Sequence, residues 1–145
     1  MSPSLPTLVV LDTSVLVSAL LKRESKPGQV LDLALAGKIR VAFDARIRRE
    51  YHTVLARPKF RIDLSQAEAI LASLYSTGLN VTASSLPMAN VEILDPGDLP
   101  FAEVAVAAQV KAMITGNARH FTFLFALGVT VLTPSEFLQS VTSAG

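Results

Sequence analysis

The sequence predicts an α/β fold, a three-layer α/β/α arrangement around a central, mostly parallel sheet. Short apolar runs alternate with segments of helical period from end to end, and caps, prolines and glycines sit at the joints. Strands joined by helices pair in parallel through right-handed crossovers, which covers both faces of the sheet. A chain of 145 residues suits one core. It is read as a single domain over 1–145, with 1–7 and 141–145 expected to be flexible.

Leu8 to Leu11 is a short strand of the buried kind, closed by Asp12. Val15 to Leu21 begins a helix that Thr13 or Ser14 can cap. Pro27 opens a second helix whose apolar residues run up to Gly37, a natural C-terminal stop. Ile39 to Phe43 is the second strand. Asp44 caps a helix through Ala56, in which Ile47, Tyr51, Val54 and Leu55 share one face and beyond which Pro58 blocks continuation.

Ser65 and Glu68 form a capping-box pair for a helix from Ala67 to Tyr75, closed by Gly78. Its apolar residues Ile70, Leu71, Leu74 and Tyr75 suit the core or, less well, a docking face. Weaker extended pieces follow at Leu79 to Thr82 and Val91 to Leu94, with a Ser/Pro-rich loop at Ser84 to Ala89 between them. The turn Asp95-Pro96-Gly97 leads into a helix from about Pro100 to Val110. Ala112 to Ile114 is a strand, Ala118 to Phe125 a short helix, and Val129 to Leu132 the last strand. Thr133, Pro134 and Glu136 start a final helix with a cap, an N1 proline and a box glutamate.

Composition removes several classes of function. Half the residues are apolar and 17% are charged, which opposes disorder. No cysteine is present, so disulfides, thiolate metal sites and a cysteine nucleophile are excluded. The apolar stretch Phe121 to Leu132 is too short to span a bilayer, and the one from Val9 to Leu21 carries Asp12. The first residues lack the pattern of a secretory signal. The expectation is a soluble, cytoplasmic protein. Eight of the thirteen basic residues fall between Lys38 and Arg61, opposed there only by Asp44 and Glu50. Such a segment is either a solvated helix surface or a face for phosphate backbones.

In open α/β sheets chemistry gathers beyond the carboxyl ends of the strands. Asp12 and Asn117 lie there, Asp98 lies before a long helix, and Glu50 lies on the basic helix. Three carboxylates and an amide oxygen around one cleft suit Mg²⁺ or Mn²⁺, which prefer oxygen donors and keep several waters. Each residue also has a plainer reading. Asp12 and Asp98 can be helix caps, Glu50 a surface partner for Arg46 or Arg49, and Asn117 a turn residue. Spacing alone leaves both open.

The ordered motifs resemble the PIN-domain family. Val9-Val10-Leu11-Asp12-Thr13-Ser14 is similar to its opening, where a strand ends in Asp-Thr-Asn/Ser. Glu50-Tyr51 with Val54-Leu55 and Arg57-Pro58-Lys59-Phe60 resembles a helix of one PIN subfamily. So do Asp95-Pro96-Gly97-Asp98-Leu99-Pro100-Phe101 with Glu103, Thr115-Gly116-Asn117 with His120-Phe121, and Thr133-Pro134 with Glu136-Phe137. The match runs from about Leu8 to Leu138.

The resemblance implies a metal-dependent ribonuclease like the VapC-type toxins of bacterial toxin–antitoxin pairs. It implies an RNA substrate, a small antitoxin partner and a homodimer. Asp12, Glu50 and Asp98 fall on the family's acidic positions, with Asp12 and Asp98 as metal ligands. Asn117 falls where many members carry a fourth aspartate, so the pocket has one charge fewer, although its carbonyl can still orient a water. Thr13, Ser14 and Thr115 are placed to hold the carboxylates. Arg46, Arg49 and His120 are candidates for substrate contact, and Glu103 is either an extra acid or a salt-bridge partner.

Two rival folds fit poorly. A haloacid-dehalogenase phosphatase needs a second aspartate two residues after Asp12, where Ser14 stands, and a phosphoacceptor receiver domain needs a late lysine that Lys111 does not supply. The serious alternative is a non-catalytic PIN domain that binds RNA or a protein, which the neutral Asn117 keeps open.

Overall fold

The buried runs do form a sheet. The computed structural model describes residues 6–83 and 96–143. Strand β1 (Thr7–Leu11) leads to helices α1 (Thr13–Leu21) and α2 (Lys26–Leu35), then to β2 (Ile39–Phe43). Helices α3 (Ala45–Leu55) and α4 (Leu64–Thr77) precede β3 (Leu79–Asn80). Helix α5 (Leu99–Ala107), β4 (Ala112–Ile114), a 3₁₀ series over Ala118–Leu127, β5 (Thr130–Leu132) and α6 (Pro134–Ser143) complete the chain. The expected loop at 84–89 and strand at 91–94 lie outside the described residues.

The strand order is β3-β2-β1-β4-β5, and all four pairings are parallel. The chain winds outward from β1 to β3 and then crosses back to place β4 on the other side of β1. The direction of winding therefore reverses between β1 and β4, the position where such sheets open a crevice at their carboxyl ends. Val9, Val10 and Leu11 are fully buried, as expected of a central strand covered on both faces. Helices α1, α2 and α6 pack on one another, and α6 reaches β4 and β5. Helix α5 packs against β1 and β2, and right-handed crossovers place it on the opposite face. No helix among the described residues is long and apolar enough to cross a membrane.

Most caps follow the sequence. The Asp44 carboxylate accepts from Ile47 N at 3.0 Å, and Thr133 and Glu136 close a reciprocal box at 2.9 and 3.2 Å. Helix α2 starts one residue before Pro27, capped by Ser25, whose Oγ accepts from Gly28 N. Gly37 stops that helix at φ +76°, where a side chain would be strained. Leu71 and Leu74 are buried, and Ile70 and Tyr75 pack against the core, so the α4 face is internal.

Two expectations need correction. Thr13 and Ser14 are inside α1 rather than caps on it, because Asp12 occupies the N-cap position. Helix α4 begins at Leu64, before the expected Ala67, and its cap is Asp63, which accepts from Ser65 N at 2.9 Å and Gln66 N at 3.3 Å. A charged acceptor two residues earlier outcompetes the Ser65 hydroxyl, which the box pattern favoured. Gly78 does close α4, but not through a left-handed φ. A Cβ there would lie 2.4 Å from the Val41 carbonyl oxygen, so a close approach of α4 to β2 requires glycine.

The cap assignment gives a direct test. Asp63→Ala should lower stability in urea unfolding by about 1 kcal/mol, whereas Ser65→Ala should change it little. Equal losses would return the cap to Ser65.

Candidate functional site

The register of β1 and β4 builds the centre of the site. Leu11 pairs with Ile114, and Asp12 N donates to the Ile114 carbonyl at 2.9 Å, so the residues that follow the two strands stand side by side. Asp12 is only 8% exposed and Thr115 is fully buried. The Thr115 hydroxyl donates to Asp12 Oδ2 at 2.6 Å and the Ser14 hydroxyl to the same oxygen at 3.1 Å. A buried carboxylate needs such donors, and hydrogen bonds to charged groups are the stronger kind. Although Asp12 holds the N-cap position, its side chain makes no cap hydrogen bond to α1. Its oxygens are turned to the hydroxyls instead.

Glu50 is brought to the same end by α3. Its Oε2 accepts from the Thr13 hydroxyl at 3.0 Å, across 37 residues of sequence. The next residue fixes the helix in place, because the buried Tyr51 hydroxyl donates to the Leu11 carbonyl at 2.5 Å. Burial pushes the Tyr51 phenol well above its ordinary value. The charges of Tyr75, Asp12 and Glu50 add to that shift. The sequence pattern placed Tyr51 in the core but gave no partner for its hydroxyl, although a buried tyrosine usually has one.

Asp98 stands at the start of α5, again without a side-chain cap hydrogen bond. His120 Nδ1 lies 3.4 Å from Asp98 Oδ2, so His120 is turned toward a candidate acid. The Asn117 backbone N–H donates to Thr115 Oγ at 2.9 Å, and the Asn117 side chain is exposed. Thr115 thus links Asp12 to the Asn117 turn with one hydroxyl.

Among the basic candidates, Arg46 is engaged elsewhere. It donates to Asp44 Oδ2 at 2.9 Å and to Glu103 Oε1 at 2.6 Å. Both carboxylates are buried, and the pair with Glu103 clamps α3 to α5. Glu103 is therefore a salt-bridge partner. Arg49 is exposed on the outer side of α3.

Two grooves flank Ser14 and Ser18 of α1. One, of about 210 Å³, is bounded by Pro27, Gly116, Asn117 and Pro134. The other, of about 360 Å³, lies between α1 and α3 and reaches Glu50. Among the described residues no three acidic or imidazole side chains converge closely enough to enclose an ion as they stand. The donors are nevertheless all hard oxygens. Such a spread set suits a hydrated Mg²⁺ or Mn²⁺ held by one or two carboxylates better than a closed cage.

A model of the PIN domain family matches residues 8–119. No curated protein matches the sequence at a significant level. Among solved structures, the chain is similar in fold to VapBC2 from Rickettsia felis, crystallised bound to a DNA fragment from their promoter. The TM-score is 0.58 at 16% identity, covering 88% of this chain and 98% of that one.

The Tyr51 bond can be checked without any substrate. Tyr51→Phe should destabilise the fold by about 1 kcal/mol in urea unfolding, because the Leu11 carbonyl loses its donor. Tyr75 is likewise pushed up, to about 12, chiefly by burial. The phenolate absorbance should therefore stay flat through pH 10, near which a free tyrosine titrates. A phenol raised in the folded state stabilises fully below the unfolded value, and that stability is lost as pH climbs toward the folded one. A phenolate signal rising at pH 10 in folded protein would contradict this packing.

Proposed function

The chain belongs to the PIN domain family, and on that premise we propose that it is a divalent-metal-dependent endoribonuclease, the toxin of a toxin–antitoxin pair. The observation that carries the catalytic reading is Asp12. It is a carboxylate at the switch point of the sheet, held by two hydroxyls on one oxygen and not used as a helix cap. A side chain kept only for folding would serve the helix it precedes.

Asp12 and Asp98 would hold Mg²⁺ or Mn²⁺, with Glu50 as the third acid. When bound, the ion would activate water and offset the charge that develops on the phosphate. Thr115 and Ser14 fix the Asp12 carboxylate, and Thr13 fixes Glu50. These hydroxyls limit the reorganisation needed when an ion or phosphate arrives. Asn117 adds an amide beside them without adding charge. His120, whose Nδ1 lies 3.4 Å from Asp98 Oδ2, can turn to a phosphate once Asp98 is otherwise engaged. Arg49 adds positive charge on the exposed side of α3 for long-range attraction of RNA.

The toxin assignment draws on the motif resemblance, and the fold likeness to VapBC2 is in keeping with it. A small antitoxin and a homodimer belong to the same proposal.

The deciding experiment is cleavage of mixed RNAs, tRNA included, with Mg²⁺ or Mn²⁺. Wild type should cut, and EDTA or Asp98→Asn should abolish cutting. Thr115→Val should retain the fold and lose roughly 10–100-fold in rate, the usual penalty for removing a residue that orients a metal ligand. A folded, metal-loaded wild type that cuts none of these RNAs would favour the binding-module reading. Asn117→Asp would then show whether the missing carboxylate is the cause.

A further inference from the structure

The groove between α1 and α3 has features that the metal site does not need. Its walls are Val17, Val54 and Phe60, and its rim carries Ser14, Ser18 and Arg57. Thr13 and Glu50 line its inner end, so it opens directly onto the candidate acids. It is an open groove of about 360 Å³, with room for one planar ring lying against its wall. The walls are apolar and include one aromatic ring, while the rim offers hydroxyls. That combination matches a nucleobase, with its apolar faces and polar edges.

Charge at the outer end points the same way. Arg57, Lys59 and Arg61 are all exposed on the turn after α3. The Lys59 ammonium lies 5.1 Å above the Phe60 ring, which puts a cation at the aromatic wall. A cationic run leading into an aromatic-walled groove is the pattern used to follow a single-stranded backbone while stacking its bases. A peptide partner would find the apolar walls equally suitable, but it would gain less from three cations in a row.

Resting on the nuclease reading above, we propose that this groove binds one base of single-stranded RNA beside the scissile phosphate. Phe60 stacks on the base, Ser18 meets its edge, and Arg57 holds the adjoining phosphate. The groove then sets the nucleotide preference of the cut, and Phe60 is a specificity-determining residue rather than a catalytic one.

The test is binding in EDTA, where cutting is not expected. A short single-stranded RNA is compared with an oligomer of equal length made of abasic ribose phosphates, so that charge is constant. Wild type should prefer the RNA with bases by roughly tenfold. Phe60→Leu should lose most of that preference and Phe60→Tyr should keep it. Arg57→Gln should weaken both oligomers alike. Equal binding of the two oligomers by wild type would overturn the proposal without reference to any variant. So would an undiminished preference in folded Phe60→Leu, the result expected if the groove serves a protein instead. Cutting with Mg²⁺ is scored separately. Cutting without base preference removes the base subsite and leaves the nuclease, whereas neither cutting nor binding removes both.

Discussion

Asp12 follows three fully buried residues at the end of the central strand, in a place where an unpaired carboxylate would be costly. The parallel register of β1 and β4 resolves this by setting Thr115 next to it, and Ser14, the second residue of α1, supplies a second donor. Much of the site depends on that solution. The same Thr115 hydroxyl accepts from the Asn117 backbone and so shapes the turn after β4. Shifting the register by one residue would separate Asp12 from Thr115.

The second acid arrives through a different device. Helix α3 is anchored by Asp44 at its start, by Tyr51 on the Leu11 carbonyl, and by the Arg46–Glu103 pair to α5. With those contacts made, Glu50 accepts a hydrogen bond from the Thr13 hydroxyl. Glu103 is buried while Arg46 is partly exposed, so removing the arginine would leave a buried carboxylate unpaired. The Arg46–Glu103 clamp therefore helps to fix the placement of α3, and through it of Glu50.

The acids are held apart, each by its own partner, rather than gathered into a closed cage. That suits an ion which keeps most of its waters and meets the rest of its ligands on a substrate. On the proposed nuclease reading, a neutral Asn117 in place of a fourth carboxylate would lower the repulsion among the acids and reduce the charge offered to an ion. On the same reading, the grooves on either side of Ser14 and Ser18 would give an RNA strand somewhere to lie.

Much of the fold was determined by the sequence alone. Period and punctuation placed the strands and helices, because buried strands read as apolar runs and Asp44, Gly37 and the Thr133–Glu136 box act on their immediate neighbours. It misjudged the start of α4, where two polar residues competed for one cap and the charged Asp63 carboxylate took it over the Ser65 hydroxyl. Motif order pointed to Asp12, Glu50, Asp98 and Asn117 as a candidate set. What those residues touch was settled only by tertiary structure. The bonds from Thr115 to Asp12, Thr13 to Glu50, Tyr51 to Leu11 and Arg46 to Glu103 span 103, 37, 40 and 57 residues. No local pattern encodes a partner at that distance, because it depends on strand order and on which helix faces meet once the sheet has closed.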